Sequence, residues 1–356
     1  MSSFVLDKFG SNCRLKFGEE CVSVDFEGKR ITTSSGRTIQ YDLLLAADGV
    51  NSRIREFLVQ KEQELFQEQH YLEDIHWKAL QLPKQPDIEA GSFKPLQHPS
   101  FSRGRVLPRA PEGHILLLFW KEEHGIENPA GVETTDDLKQ MITEAMHGKN
   151  TRGTNPLRKL LGFNRGDSDR KRDWNEVFDE AALEDFISKR AGRTHHLKIN
   201  QYHFQDSVAL IGDSAHAMNS LLGQGCAAGL QSTYTLVECL GGCDDQTLSI
   251  EESLLKYSQL ATREAYAITD LNLIHYATRG RMAMLKALPL AVWNKLRGRS
   301  LRKQLSDITV PYSQIAAENK GLLKLSRRNF EKERRPFVNP GIAAAIPTKN
   351  ELELSQ

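Results

Sequence analysis

Gly212-Asp213-Ser214-Ala215-His216-Ala217, followed by Gly223-Gln224-Gly225 and Gly229, is the stretch of this 356-residue chain whose reading decides its fold. The apolar run at 207–211 (SVALI) precedes it and reads as a buried strand ending in Gly-Asp. A helix is expected after the glycine-rich loop, from about 227 to 240. A carboxylate at the carboxyl end of a sheet strand lies where open α/β sheets bind ligands. There it is an acceptor suited to sugar or polyol hydroxyls. The Gly-Gln-Gly turn lets backbone approach a flat ligand closely. It feeds a helix whose N-terminus offers free N–H groups and a positive dipole end. Together these features stabilise negative charge on the edge of a bound ring.

A second element has the same form. Residues 41–55 read YDLLLAADGVNSRIR. The apolar run predicts a strand buried on both faces of a mostly parallel sheet. It ends in Asp48-Gly49, and a helix over 53–60 follows, capped by Asn51 or Ser52. Asp-Gly is also a common turn, so this element gains its weight from being paired with the first.

Outward from these two, segments 14–17, 22–26 and 30–33 read as strands, with a hairpin turn at 26–29. From about 74 to 200, short strands are expected at 77–82, 105–107, 115–121 and 197–200, separated by loops. One amphipathic helix over 135–147 opens on a capping sequence, Thr134-Thr135-Asp136-Asp137. The mixed-charge run 165–173 (RGDSDRKRD) reads as a solvated loop. The remainder has helical periodicity over 250–276, 282–305 and 312–325, punctuated by Pro289 and Pro311.

Composition narrows the class without naming a function. With 47 Lys and Arg against 46 Asp and Glu, the net charge of +1 argues against nucleic acid or an anionic membrane as partner. No apolar run approaches the roughly 18 residues of a membrane span. Five scattered cysteines do not make a disulfide framework, and Cys239 and Cys243 lack a second pair for zinc.

The two strand-and-turn elements resemble the paired motifs of single-component flavin-dependent aromatic hydroxylases, whose fold is that of p-hydroxybenzoate hydroxylase. The resemblance implies an α/β fold: an incomplete FAD-binding Rossmann-like domain, an inserted mixed β-sheet substrate domain and a helical C-terminus. The implied division is 1–60 partial FAD-binding domain, 61–200 substrate-binding sheet domain, 201–245 FAD-binding domain continued, and 246–356 helical region. Carried over as cofactor-binding are Asp48, Gly49, Ser52 and Arg55, then Gly212, Asp213, Ala215, His216, Gly223, Gln224, Gly225, Cys226 and Ala227. In the family the first set serves FAD and NADPH, and the second serves FAD. Phe17-Gly18-Glu19-Glu20-Cys21 is similar to the strand whose last residue touches adenine, here Cys21.

Within that family, Tyr202-His203-Phe204, residues 265–276 (AYAITDLNLIHY) and residues 310–315 (VPYSQI) resemble kynurenine 3-monooxygenase. By this resemblance Tyr312 binds the carboxylate or amine of the substrate, and His275 stands where the family has a substrate-contacting asparagine. The implied activity is NADPH- and O₂-dependent hydroxylation of a small aromatic substrate, with no acid–base triad. A dry pocket lined by Trp77, Phe119 and Trp120 would exclude water. Neither nucleic acid nor a transmembrane segment is expected, and the oligomeric state is open. The expected location is cytoplasmic, with outer-mitochondrial-membrane association as the alternative, because eukaryotic members use a C-terminal span.

The chain departs from the family in several places. The family opens with a strand, Gly-x-Gly-x-x-Gly and a helix that have no counterpart here, and about a hundred residues of the family pattern, a complete βαβ unit among them, are unmatched. Ser220 stands for a proline, Ala227 for an asparagine, and Gln231-Ser232 for an acidic pair. Three readings therefore stay open: a kynurenine 3-monooxygenase-like enzyme, a hydroxylase of another aromatic acid or quinone precursor, and a non-catalytic relative binding a metabolite or partner.

Overall fold

The computed structural model describes residues 12–84, 94–109, 113–146, 178–220, 222–244, 248–278, 289, 301–307, 309–333 and 335–336. In chain order the strands are β1 (Cys21–Asp25), β2 (Arg30–Thr33), β3 (Thr38–Gln40), β4 (Leu44–Ala46), β5 (Glu68–Leu82) and β6 (Lys94–His98). They continue with β7 (Phe101–Pro108), β8 (His114–Lys121), β9 (Gly192–Ile199), β10 (His203–Phe204), β11 (Val208–Leu210) and β12 (Arg335–Pro336). The helices are α1 (Arg53–Lys61), α2 (Thr135–Met146), α3 (Glu180–Ser188), α4 (Gly225–Asp244), α5 (Ile250–Asn272), α6 (Leu301–Leu305), α7 (Tyr312–Glu318) and α8 (Lys320–Glu333). The chain forms two compact units, Met1–Tyr71 with His195–Gln356, and Leu72–Thr194.

The first unit holds two three-stranded sheets. One is the antiparallel meander β1-β2-β3. The expected turn closes it: the Gly28 amide donates to Asp25 Oδ1 at 2.9 Å and Lys29 takes a φ of 48°. The expected strand at 14–17 does not form; these residues lie outside any strand. The second sheet has the order β10-β11-β4, with β11 antiparallel to β10 and parallel to β4.

The run at 41–47 is therefore only partly the doubly covered strand that its composition suggests. All three residues of the central β11 are buried, whereas Leu45 on β4 is 47% exposed. Ala209 and Leu45 are register partners and share a face. The layer that covers Ala209 stops short of the edge strand. Around this sheet a core gathers Phe26, Ala46, Ile54, Leu58, Phe204, Leu210 and Tyr257.

Helix ends follow local chemistry. A capping box starts α5: Ser249 Oγ accepts from the Glu252 amide, and Glu252 Oε2 accepts from the Ser249 amide. The expected helix 250–276 tightens into a 3₁₀ turn over Leu273–Thr278. The expected single helix 312–325 breaks at Asn319, whose backbone leaves helical geometry and whose side chain donates to the Ile315 carbonyl at 2.8 Å. Most of the expected helix 282–305 lies outside the described residues.

In the second unit β5, β8, β7 and β6 pair antiparallel in that order. Alternation along these strands sends Leu80, Leu116, Leu118, Trp120 and Val106 into one core. That core is closed by Leu138, Met141 and Ile142 of α2 and by Leu183 and Phe186 of α3. The expectation that Trp77, Phe119 and Trp120 line one pocket is corrected here. Trp77 and Phe119 are cross-strand partners, but Trp120 points to the opposite face, fully buried, its indole donating to the Gly125 carbonyl at 3.0 Å.

Candidate functional site

The site grows from the carboxyl ends of β4 and β11. Because these strands are parallel, with Leu44 opposite Val208 and Ala46 opposite Leu210, Asp48-Gly49 and Gly212-Asp213 leave the sheet at the same end. Gly212 has a φ of +60°, in the left-handed region open to glycine. A Cβ built on it would lie 3.7 Å from the Gly229 Cα, so two glycines let the turn lie against α4. Ser214 is buried and ties the turn down, its Oγ bonding Ala46 O and accepting from the Ile211 amide.

Arg55 locks the two motifs together. Its side chain is buried; Nη1 donates to Ser214 O at 2.8 Å and Nη2 to Val50 O at 2.7 Å. Its Nε faces Glu68 Oε2 at 3.3 Å. Burial lowers the Arg55 pKa against the pull of that carboxylate. Asp48 and Ser52 are engaged locally. Asp48 Oδ2 accepts from the Arg53 amide at 2.8 Å, and Ser52 Oγ accepts from the Arg55 amide at 3.0 Å. Both cap α1, Ser52 being the N-cap. Gly49, with a φ of +81°, makes the turn between strand and helix.

Beyond β11 the groups are open to ligand. The Asp213 carboxylate has no hydrogen-bond partner among the described residues; partial desolvation in the turn raises its pKa, although the residue is exposed. Gly223 takes a φ of +67°, and no described atom lies within 4 Å of a Cβ built on Gly223 or Gly225. Cys226 and Ala227 are exposed in the first turn of the 20-residue α4. The first intrahelical bond there runs from the Ala228 amide to Gln224 O, leaving the preceding amides to face outward. A free carboxylate, an open glycine turn and an unblocked helix N-terminus suit a polyhydroxylated, anionic ligand.

Ala215 and His216 lie beneath this surface. His216 is buried, stacks on Tyr202 with ring centroids 6.0 Å apart, and has no hydrogen-bond partner for either ring nitrogen among the described residues. Burial holds its pKa down at about 4. Cys21 opens β1, half-buried, and burial raises its thiol pKa.

The two expected substrate residues occupy different surroundings. The Tyr312 hydroxyl donates to Gln224 Oε1 at 2.9 Å, placing the start of α7 on the Gly-Gln-Gly turn. Its ring packs with Ala228, Ile268 and Leu271. The His275 ring lies tilted against Tyr276 with centroids 4.2 Å apart, with Nδ1 at 3.0 Å from Asn272 O, beside the separate cluster of Tyr276, Leu273 and Phe330. Sequence reading missed Glu68 and His70, which sit two residues apart on one face of β5. Their signal was alternation in a strand that periodicity placed only from residue 77 onward.

No family model matches the chain. Curated proteins do. The chain is 26% identical over 295 residues to kynurenine 3-monooxygenase of Neurospora crassa, covering 76% of this chain and 52% of that enzyme. A shorter stretch of 97 residues is 33% identical to kynurenine 3-monooxygenase of Drosophila willistoni, covering 27% of this chain and 20% of the relative. Among solved structures, tetrameric 2-methyl-3-hydroxypyridine-5-carboxylic acid oxygenase superposes with a TM-score of 0.51 at 18% identity, covering 80% of this chain and 69% of that one. In its longer matches the chain spans about half the length of the curated relatives. Over that shared half the chain is a homologue of the kynurenine 3-monooxygenases, and it shares its fold with an aromatic-ring oxygenase.

Proposed function

We propose that this chain carries part of the flavin site and the substrate domain of an FAD-dependent aromatic hydroxylase of the kynurenine 3-monooxygenase type, with NADPH and O₂ as co-substrates. The observation that carries this reading is the convergence of Asp48-Gly49 and Gly212-Asp213 at one sheet end, with Arg55 bonded across them. The homology to kynurenine 3-monooxygenases supports it.

The residues present suit FAD. Asp213 accepts hydrogen bonds from ribityl or ribose hydroxyls, and its unpartnered state leaves it free to do so. The amides at the N-terminus of α4, at Gly225, Cys226 and Ala227, would hold the anionic part of a reduced flavin, where the helix dipole adds stabilisation. Gly223 and Gly225 keep the turn flat enough for a planar ligand, while Gly212 and Gly229 let the helix lie close to the turn. Asp48, Gly49, Ser52 and Arg55 shape the site rather than present free side chains to it. When bound, FAD would supply the redox chemistry by which NADPH and O₂ oxygenate an electron-rich ring. Tyr312, already hydrogen-bonded to Gln224, orients the polar end of the substrate against the same turn. His275 would supply a second polar contact to that substrate. No catalytic acid or base is assigned.

The test is an absorption spectrum of purified residues 1–356 after incubation with FAD and removal of free flavin. A retained flavin band, followed by kynurenine-dependent NADPH oxidation with a hydroxylated product, is the expected result. Flavin retention with NADPH oxidation driven by another aromatic acid would keep the site and change the substrate. Absence of retained flavin would remove the cofactor assignment from this polypeptide.

A further inference from the structure

Helices α4 and α5 pack against each other, but small side chains leave part of their seam open. Ala228 and Ser232 on α4, and Ala261 and Ala265 on α5, are spaced i, i+4 and turn toward the seam without filling it. The resulting crevice has an empty volume of about 240 Å³ and is open to solvent at one side. Its enclosed part has room for one water-sized group. His216, Thr235, Glu264 and Tyr312 contribute the polar lining.

His216 marks the crevice as a site rather than a packing gap. It is 1% exposed, and neither ring nitrogen has a hydrogen-bond partner among the described residues. Burial holds its pKa at about 4, so the ring is neutral at neutral pH and carries one N–H and one bare nitrogen. Leaving such atoms unpaired in the interior is costly, and a guest in the crevice recovers a bond.

We propose that the crevice between α4 and α5 binds the ammonium group of a small primary amine, and that Glu264 selects its charge. This site goes beyond the flavin reading and does not depend on it.

The hydroxyls of the lining have already given their protons away. Ser232 Oγ donates to Gly229 O at 2.8 Å, Thr235 Oγ1 to Gln231 O at 2.9 Å, and the Tyr312 hydroxyl to Gln224 Oε1 at 2.9 Å. What remains on Thr235 and Tyr312 is lone pairs. Glu264 Oε2 accepts from the Ser313 amide at 3.0 Å, and its second oxygen has no bonded partner among the described residues. No lysine or arginine lines the crevice. The Glu264 charge does reach the lining: burial first, and then that charge, raise the Tyr312 pKa. Gln231 lies exposed at the crevice and can turn either end of its amide inward.

This inventory sorts the guests. An anion meets a carboxylate and no cation. An apolar group leaves His216 unpaired. One histidine and one carboxylate are too few ligands for a transition metal. Water pairs with His216 but leaves the Glu264 charge uncompensated. An ammonium group matches water in size, answers the charge, and brings donors for the bare nitrogen of His216, for Glu264 and for a hydroxyl oxygen. The open side leaves space for a short aliphatic tail.

The experiment titrates residues 1–356, with isotope-labelled histidine nitrogens, at about pH 7.5. The probe is methylammonium chloride. The His216 ring signals, identified by their loss in His216→Gln, are the readout. Sodium chloride controls for ionic strength, tetramethylammonium supplies charge without N–H donors, and methanol supplies a donor without charge. The expected result is a saturable shift of the His216 signals with methylammonium alone. Glu264→Gln keeps an acceptor for the Ser313 amide and should raise the half-saturating concentration about tenfold or more. The proposal is overturned if methylammonium gives no saturable shift, which would leave the crevice to water. It is equally overturned if sodium chloride, tetramethylammonium or methanol moves the signals as far, or if Glu264→Gln binds methylammonium as wild type does. Should Glu264→Gln not fold, the comparison of the four probes on wild type decides alone.

Discussion

Arg55 Nη1 donates to the Ser214 carbonyl at 2.8 Å while Nη2 of the same guanidinium holds Val50 O at 2.7 Å. One buried side chain thus spans 159 residues of sequence and fixes both turns that follow the parallel strands. A lysine has a point charge and no fork, so it can keep one carbonyl but not both. Arg55→Lys is expected to lower unfolding stability by about 1–3 kcal/mol and to weaken flavin retention. Arg55→Met, which also takes the guanidinium away from Glu68 Oε2, should cost more, about 3–5 kcal/mol. Denaturant titration of both variants checks the order; equal stability of wild type and Arg55→Met would refute the lock.

Acid stability follows from two buried histidines. Burial holds the pKa of His216 at about 4 and that of His196 at about 3, against an ordinary value of 6.5. Between the ordinary value and these depressed ones the unfolded chain binds protons that the folded chain refuses. Their stabilising effect is complete above pH 6.5 and declines as pH falls toward 4, by about 1.4 kcal/mol per pH unit for each ring. His216→Gln should remove one such slope. Urea midpoints from near neutral pH down to about pH 4.5 test this; an unchanged slope in the variant would assign the acid effect to other groups.

Much of this site was legible in the sequence because strand, Gly-Asp and helix must follow each other locally. Residues 207–211, Gly212 and the helix after Gly225 read correctly for that reason, and Ser52 was one of the two caps anticipated for α1. What stayed hidden depended on partners distant in the chain. Glu68 and His70 carry no motif, and only the pairing of β5 with β9 gives them a meaning. The partial cover of β4 was hidden for the same reason: composition reports that Leu45 is apolar, not whether a layer reaches it. Trp120 was grouped with Trp77 and Phe119 by proximity, whereas strand alternation puts it on the other face.

Gly192 supports the position of Trp77. A Cβ built on Gly192 would fall 2.5 Å from Trp77 Cε2, with two further ring atoms within 2.8 Å. An indole cannot yield locally as the end of a flexible chain does. Gly192→Ala should destabilise the second unit by about 1–3 kcal/mol and shift the Trp77 fluorescence. Tryptophan emission of the variant in a background lacking the other tryptophans tests it, and an unaltered spectrum would mean that β9 moves aside instead.

Helix α4 carries an uncovered apolar stripe. Leu230, Tyr234 and Val237 are 66%, 65% and 60% exposed, at spacings that put them on one helix face. Leu45 adds exposed apolar surface on β4, a strand that ends its sheet. Residues 1–356 as an isolated polypeptide are expected to self-associate through such surfaces. Leu230→Glu with Tyr234→Lys places an i,i+4 ion pair on the stripe and should reduce association without unfolding α4. Light scattering against concentration reads this directly, and unchanged scattering in the variant would move the sticky surface elsewhere.

Tyr312 connects the C-terminal helices to the glycine turn by a single hydrogen bond, from its hydroxyl to Gln224 Oε1 at 2.9 Å. Burial raises the pKa of this phenol, so it stays protonated and remains a donor through the neutral range. Tyr312→Phe keeps the ring among Ala228, Ile268 and Leu271 while deleting that donor. The stability cost should be small, about 0.5–1.5 kcal/mol. The functional effect should be larger and directional. If the hydroxyl orients the polar end of the substrate, KM for the aromatic substrate rises about tenfold or more while flavin retention holds. If it serves chiefly to set the Gln224 turn, flavin retention falls in Tyr312→Phe and equally in Gln224→Ala. Measuring flavin retention in both variants before any turnover assay separates substrate contact from turn geometry at this residue.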